Sequence, residues 1–572
     1  PGKYLAKGLK KNPNIAHIKD GEYIISIQYD NMNREDEDID KNDNKKYYFK
    51  IKTVQTAALR ILIEALKDLL TDANLKVTKN IAIYSGTLLV PTGSVLQNWG
   101  DLYIYLGGTL NASDAKTISV KHNVHIGKDG GGVLNAPGGD HTRFVVHGGF
   151  NIHSGGTFNH NDGTVTMATR WKSPGAAIRI DDGPGTGRNF YNLKKTGKKI
   201  AYLLNNIEVE NDLTVIGNGK INAVKPAGTS YDITIGGNWD LLKSSNFNDG
   251  AGKVIFNGSS AQTIDSPANF NDVQISNSDV SLSRNVNITG TLTIDSGATL
   301  DINGYNLTAA TLTNNGNLQL QGGETVKIPD TANSGMDTNS GTVTYDGTGT
   351  YTQLAAGDAY YKLTLNSSGS IALDANLDVN NDLTITNGTL DVSTDDHSIN
   401  VAGDWINNDT FISQEGTVTF DGSPTVTTGG VADTNDFHHV ILSGSGTTEQ
   451  STNDIDIDGD FTISSSGTWD TKGLCIFFSN TTTLTLGSGT LINPIPTLSS
   501  SSPTDGATGV VGTANIVLTF SEAVDVESGN IVIKKTSDDS TVETIDVTGS
   551  LVTGTGTTTI TINPSADLSS ST

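Results

Sequence analysis

The stretch Gly290-Thr291-Leu292-Thr293-Ile294-Asp295-Ser296-Gly297-Ala298-Thr299-Leu300-Asp301-Ile302-Asn303-Gly304 decides the fold. It consists of short apolar-alternating runs broken by Gly or Asn, the residues that turn a chain tightly at least steric cost. The same alternation recurs in Asp212-Leu213-Thr214-Val215, where Leu and Val point to one side of a strand and the polar residues to the other. No run of this length buries a core alone. Stacked coil upon coil, such runs share one apolar interior, which is the logic of a β-solenoid.

Working outward, the pattern proves to be quadruplicated. Gly163-Thr164-Val165-Thr166-Met167, Gly252-Lys253-Val254-Ile255-Phe256, Gly341-Thr342-Val343-Thr344-Tyr345 and Gly416-Thr417-Val418-Thr419-Phe420 align, with starts 89, 89 and 75 residues apart. A second anchor follows each: Asn189-Phe190-Tyr191-Asn192-Leu193, Asn269-Phe270-Asn271-Asp272-Val273, Ala359-Tyr360-Tyr361-Lys362-Leu363 and Asp436-Phe437-His438-His439-Val440. A third begins 22 to 24 residues later, at Asp212, Thr291, Asp382 and Asp460. A fourth is Gly237-Asn238-Trp239 and Gly403-Asp404-Trp405, matched less closely by Gly149-Phe150 and Gly316-Asn317-Leu318. That spacing suits one solenoid coil, so each long repeat reads as about four coils. About 18 coils at roughly 4.8 Å would stack to on the order of 85 Å. The competing arrangement is an array of β-sandwiches, since repeats of nearly ninety residues are also immunoglobulin-sized. The scarcity of Pro linkers and the tight corners favour the solenoid.

The ends differ from the middle. Residues 22–29 and 45–52 alternate like strands and predict a hairpin across the acidic loop 33–41. Leu59, Leu62, Ile63, Leu66, Leu69 and Leu70 recur at steps of three and four and predict an amphipathic helix over 56–72, placed to cap the stack or to pair with another subunit. Asn493-Pro494-Ile495-Pro496 and Ser499-Ser500-Ser501-Ser502 read as a linker. The expected domains are an N-terminal hairpin-plus-helix module at 1–76, the repeat solenoid at 77–493, and linker plus C-terminal domain at 494–572.

After that linker, Ser502-Pro503-Thr504-Asp505-Gly506-Ala507 and Leu518-Thr519-Phe520-Ser521-Glu522-Ala523-Val524 resemble the bacterial immunoglobulin-like family of S-layer and other surface proteins, over 502–572. The resemblance implies a β-sandwich used as spacer or adhesive module. The sequence given stops at Thr572, before the closing strands of that fold, so a partial domain is expected. The Gly-x-Trp and Gly-Thr-Val-x-Phe motifs are also similar, more loosely, to repeats of very large bacterial surface proteins.

Composition narrows the function. The net charge of -25 repels phosphate backbones and anionic lipid, so nucleic acid and membrane surfaces are not expected partners, and cations are. Cys475 stands alone, excluding an intrachain disulfide. No apolar run nears the roughly 20 residues of a membrane span. The opening Pro1-Gly2-Lys3 suggests that an upstream segment belongs to the precursor.

Few residues propose chemistry. Asp454, Asp456 and Asp458, in Asn453-Asp454-Ile455-Asp456-Ile457-Asp458-Gly459-Asp460, imitate the first half of a calcium loop, but Ser465 stands where the loop's bidentate Glu belongs. Read as a strand, the segment sends Ile455 and Ile457 inward and the carboxylates outward, either to collect Ca²⁺ or to stay solvated. His122, His125, His141, His147, His153 and His160 fall in one region, where two on adjacent coils could meet over zinc. Asn-x-Ser/Thr triplets such as Asn287-Ile288-Thr289 permit N-glycans. A solenoid lyase or hydrolase needs clustered acids or Arg and Lys on one wall, and no such group stands apart from the repeat pattern.

The expected protein is therefore all-β: an elongated β-solenoid, or parallel β-helix, with a small α+β N-terminal module and a partial C-terminal Ig-like β-sandwich. The expected role is a non-enzymatic extracellular one, self-associating into a cell-surface layer, sheath or fibre. The alternatives are an adhesin or cell-surface glycan-binding stalk and, third, a β-helix polysaccharide-degrading enzyme.

Overall fold

The computed structural model describes residues 22–28, 47–52, 74–77, 80–139, 143–169, 176–224, 228–328, 339–429, 437–464, 466–479, 483–492, 496–526 and 528–565. The helix expected over 56–72 lies outside them. Among the described residues regular structure is β throughout, apart from the 3-10 turn Ser244–Asn246, and about 18 solenoid turns cover residues 76–492. The chain forms two compact units, Pro1–Val343 and Thr344–Thr572.

In the first unit strands recur in threes, one on each wall of a tube. On the first wall Val95–Asn98 pairs in parallel with Thr117–Val120, and the column runs on through Arg143–Val146, Thr164–Ala168, Asn192–Thr196, Leu213–Val215 and Trp239–Leu241. The second wall begins Ile81–Ile83, Leu102–Ile104, Val124–Ile126, Phe150–Ile152, and the third Gly86–Leu89, Gly108–Asn111, Gly132–Asn135, Gly156–Asn159. Register partners lie between 18 residues apart, Ile264 with Leu282, and 28 apart, Val165 with Leu193. The longer steps carry loops, which leave the walls unchanged.

The expected hairpin is present: Glu22–Gln28 pairs antiparallel with Tyr47–Lys52. Glu22–Gln28 also pairs antiparallel with Asn74–Val77, which in turn pairs in parallel with Val95–Asn98. The hairpin thus covers the open edge where the first wall begins.

The second unit repeats the scheme. Lys362–Ala372 and Leu383–Asp391 each turn a corner in mid-strand and serve two walls. Beyond them the walls continue through Trp405–Asn407, Thr410–Ile412 and Thr417–Phe420 to Thr468–Asp470, Ile476–Phe478 and Leu484–Leu486.

The sequence anchors are columns of these walls. Val165, Leu193, Leu213 and Trp239 are successive partners, as are Val254, Val273, Leu292 and Leu312, and Val418, Val440, Phe461 and Leu484. Two weak matches are corrected by register. Leu318 pairs with Leu300 on another wall, the true fourth member of its copy being Leu312, and Phe150 sits on the second wall. The cause is a period that is not a whole number of coils: after Trp239 the chain crosses one more wall before Lys253–Phe256 restarts the motif on the next. Each copy holds three full steps and part of a fourth.

The core is the inside of the tube. Leu102, Ile104, Val124, Ile126 and their counterparts are fully buried, and two of the three Gly-x-Trp motifs place Trp239 and Trp405 among them. Trp239 meets Phe247 edge-on at 4.8 Å, and Trp405 meets Phe411 at 4.9 Å. Their glycines are steric necessities. A Cβ on Gly237 would lie 2.6 to 2.7 Å from Asn211 and Asp212, and one on Gly403 2.4 to 2.6 Å from Asn381 and Asp382.

The corners explain the abundance of Asp and Asn. A carboxylate or amide oxygen on one coil accepts the backbone N–H of the next: Asn192 from Asp212 at 3.1 Å, Asp212 from Asn238 at 2.8 Å, Asn238 from Thr263 at 2.8 Å. Asn80, Asp101 and Asn123 make another such ladder, and Asp382 and Asp404 a third. Corner N–H groups that no strand pairs are thereby satisfied.

The C-terminal segment has two small antiparallel sheets, Leu498–Ser502 with Ile516–Val524, Thr557–Ile562 and Val552–Thr553, and Asn530–Lys534 with Thr541–Asp546. Ile545, Val552, Ile560 and Ile562 form its buried core.

Candidate functional site

The second wall of the first unit carries the densest outward chemistry. Its outer positions follow from register: Ala82, Tyr103, His125, Asn151 and Arg179 are successive partners. Two residues further along the same coils stand Tyr84, Tyr105, Gly127, His153 and Asp181. Tyr84 stacks on Tyr105 at 4.3 Å, and Tyr103 stacks on His125 at 4.8 Å. Lys128 places its ammonium 4.7 Å from the Tyr103 ring centre. Tyr84 is 63% exposed and Leu106 beside this wall 64%, so the ladder's first ring offers a free face.

His153 reaches across from its own coil to His125 on the preceding one. Nδ1 of His125 and Nε2 of His153 are 3.1 Å apart, with ring centres 5.4 Å apart and planes within 13°, so the two nitrogens face each other head-on. Nδ1 of His153 lies 3.4 Å from Asp181. A proton on that Nδ1 leaves Nε2 to accept from His125, which satisfies both contacts. The two ring nitrogens aim at each other at hydrogen-bond distance, whereas a tetrahedral zinc needs both lone pairs to converge on a point off the line that joins them. Burial, with His153 close by, lowers the His125 pKa to about 4. Tyr103 donates to Asp101 at 3.2 Å, and burial and Asp101 raise its pKa.

The other histidines disperse. His147 is buried, with Lys121 at 3.0 Å and the Ala168 carbonyl at 2.8 Å. His160 lies 3.0 Å from Glu210, His122 is exposed, and His141 is outside the described residues.

The acidic row lies where alternation places it, with Ile455 and Ile457 buried and Asp456 between them facing outward. Asp454 is a corner residue whose carboxylate accepts the Cys475 N–H at 2.7 Å, as in the other ladders. Asp458 is exposed. Among the described residues no three His, Cys, Asp or Glu side chains are grouped to hold a metal ion. The tyrosine ladder escaped sequence reading, although Ile81-Ala82-Ile83-Tyr84, Leu102-Tyr103-Ile104-Tyr105 and Val124-His125-Ile126-Gly127 show it once aligned at coil spacing.

Residues 493–572 match the family model of the bacterial Ig-like domain. The Ig-like domain so defined includes the linker that precedes its first strand, Leu498–Ser502. Comparison with curated proteins and with solved structures gives no match. Among the described residues no helix is long and apolar enough to cross a membrane.

Proposed function

We propose that this chain is a structural protein of the bacterial cell exterior, building a layer, sheath or fibre through association of its own copies, with no catalytic role. The observation that carries the reading is the use made of the acids. Asp101, Asp212, Asp382, Asp404 and Asp454, the residue type a polysaccharide-cleaving wall would need, hold one coil's backbone to the next. A solenoid joined to an Ig-like domain suits a surface protein, because both are spacer architectures. Negative-stain electron microscopy of the purified full chain tests it: ordered sheets or filaments are expected, and dispersed particles under all ionic conditions would sink it.

A glycan-binding stalk is the second reading, and the tyrosine ladder favours it. The open face of Tyr84 presents the negative side of a ring quadrupole, to which the C–H face of a sugar is attracted. Retention on immobilised cell-wall glycan that Tyr84→Ala abolishes would support this reading over the first.

A further inference from the structure

The last coil of the second unit is finished differently from the coil on which it stacks. Its strands Ile476–Phe478, Leu484–Leu486 and Thr490–Ile492 pair on one side with Ile455–Ile457, Phe461–Ile463 and Thr468–Asp470. Among the described residues no strand pairs with their other side. The inward positions record the change: Ile457, Phe461 and Ile463 are 0% exposed, whereas their partners Phe478, Leu484 and Leu486 are 40%, 44% and 47% exposed. These exposures hold with the Ig-like domain in place.

Two outward positions change as well. Phe477 stands in register with Asp456, and Ile492 with Asp470, so apolar side chains replace carboxylates on the outer rim. The sequence has no Asp, Glu, Lys or Arg between Lys472 and Asp505. Open sheet edges are ordinarily guarded by charge, proline or a covering element. The edge that begins the first unit has its antiparallel cover, Glu22–Gln28; this one has apolar side chains and no charge.

We propose that this coil is the docking face for a second copy of the same chain, the two meeting tail to tail about a two-fold axis. The proposal rests on the structural reading above and names the contact. Two copies of a chain of net charge -25 repel wherever their charged surfaces meet, and an uncharged apolar coil is where they approach without that cost. A two-fold axis lets the same patch cover itself and brings the open edge strands of the two copies together.

The test is sedimentation of the full chain beside Phe477→Asp/Ile492→Asp. Both substitutions restore the residue type that the preceding coil carries at the same register, so the variant should fold, and its thermal transition is measured as the control. The wild type is expected to be a dimer and the variant a monomer, with association weakened at least about tenfold. A wild type that stays monomeric to about 100 μM overturns the proposal, whether its last coil is bare or covered by its own Ig-like domain. So does a folded variant that remains dimeric. Sheets or filaments from a wild type that sediments as a monomer would keep the structural role and overturn this contact. Dimers that never build sheets or filaments would keep the contact and overturn the role.

Discussion

At the scale of single residues, three titrating side chains sit in the first unit at some cost to it. Lys195 is fully buried, in register between Met167 and Val215, and donates to Thr169 at 2.9 Å and to the Thr196 carbonyl. Burial brings its pKa down to about 8 from an ordinary 10.5. Between those values the unfolded chain holds the proton that the folded chain releases, so stability should rise as pH climbs from about 8 to 10.5. Lys195→Met, matching Met167 below it, should stabilise the protein by about 1–3 kcal/mol at pH 7 and remove that rise, as calorimetry against pH would record. His125 acts at the other end of the scale. Its pKa of about 4 lies below the ordinary 6.5, so its contribution to stability is present at pH 7 and lost as pH falls through that interval. The expected loss is about 1–2 kcal/mol, discounted because the ring is only half-buried. Asp249, which burial pushes up to about 6, works with the opposite sign over much of the same range. Hydrogen exchange at 124–126 is therefore the right readout, and His125→Asn should flatten its pH dependence while leaving exchange around Asp249 unchanged.

At the scale of elements, the corner is the unit that specifies the fold. Gly403 has no room for a methyl group between Asn381 and Asp382, and the Asp382 carboxylate accepts the Asp404 N–H at 3.0 Å while pairing with Lys362 at 2.7 Å. Gly403→Ala must push that carboxylate aside, so chemical denaturation should register a loss of about 1–3 kcal/mol, and Gly237→Ala the same. Alanine at Gly297, with φ of 79° and open space around it, should cost only about 1 kcal/mol, through backbone strain. This division also explains what was legible beforehand. Leu213, Val215, Leu292 and Ile294 alternate, and alternation alone places them inside the tube, as it does Ile455 and Ile457. Asp454 looked like a calcium ligand because its motif is local, whereas its partner, the Cys475 N–H, lies one coil away. His125 and His153 are 28 residues apart and meet because they stand one coil apart at neighbouring outward positions of the same wall. The wall on which a copy begins was equally hidden, since loops stretch the step from Val165 to Leu193 without altering either strand.

At the scale of the whole molecule, the excess of 62 acidic over 37 basic residues is the property left to be used. Carboxylates such as Asp456 and Asp458 face outward, and their mutual repulsion weakens the folded state and opposes association at low ionic strength. Any salt relieves this repulsion, because the screening length falls from about 30 Å at 0.01 M to about 10 Å at 0.1 M. A calcium-specific effect needs ligands free to converge, and at 454–458 the first carboxylate is already engaged by backbone. The melting temperature should therefore rise with NaCl and rise equally with CaCl₂ at matched ionic strength, with no further change on adding chelator at that ionic strength. A calcium-specific increment that Asp456→Asn/Asp458→Asn removes would instead place an ion on this segment. Dimerisation through Phe477 and Ile492 should respond differently from either: a contact without charge of its own strengthens only as far as the surrounding repulsion is screened, so its salt dependence should level off once the screening length is shorter than the distance to the nearest carboxylates.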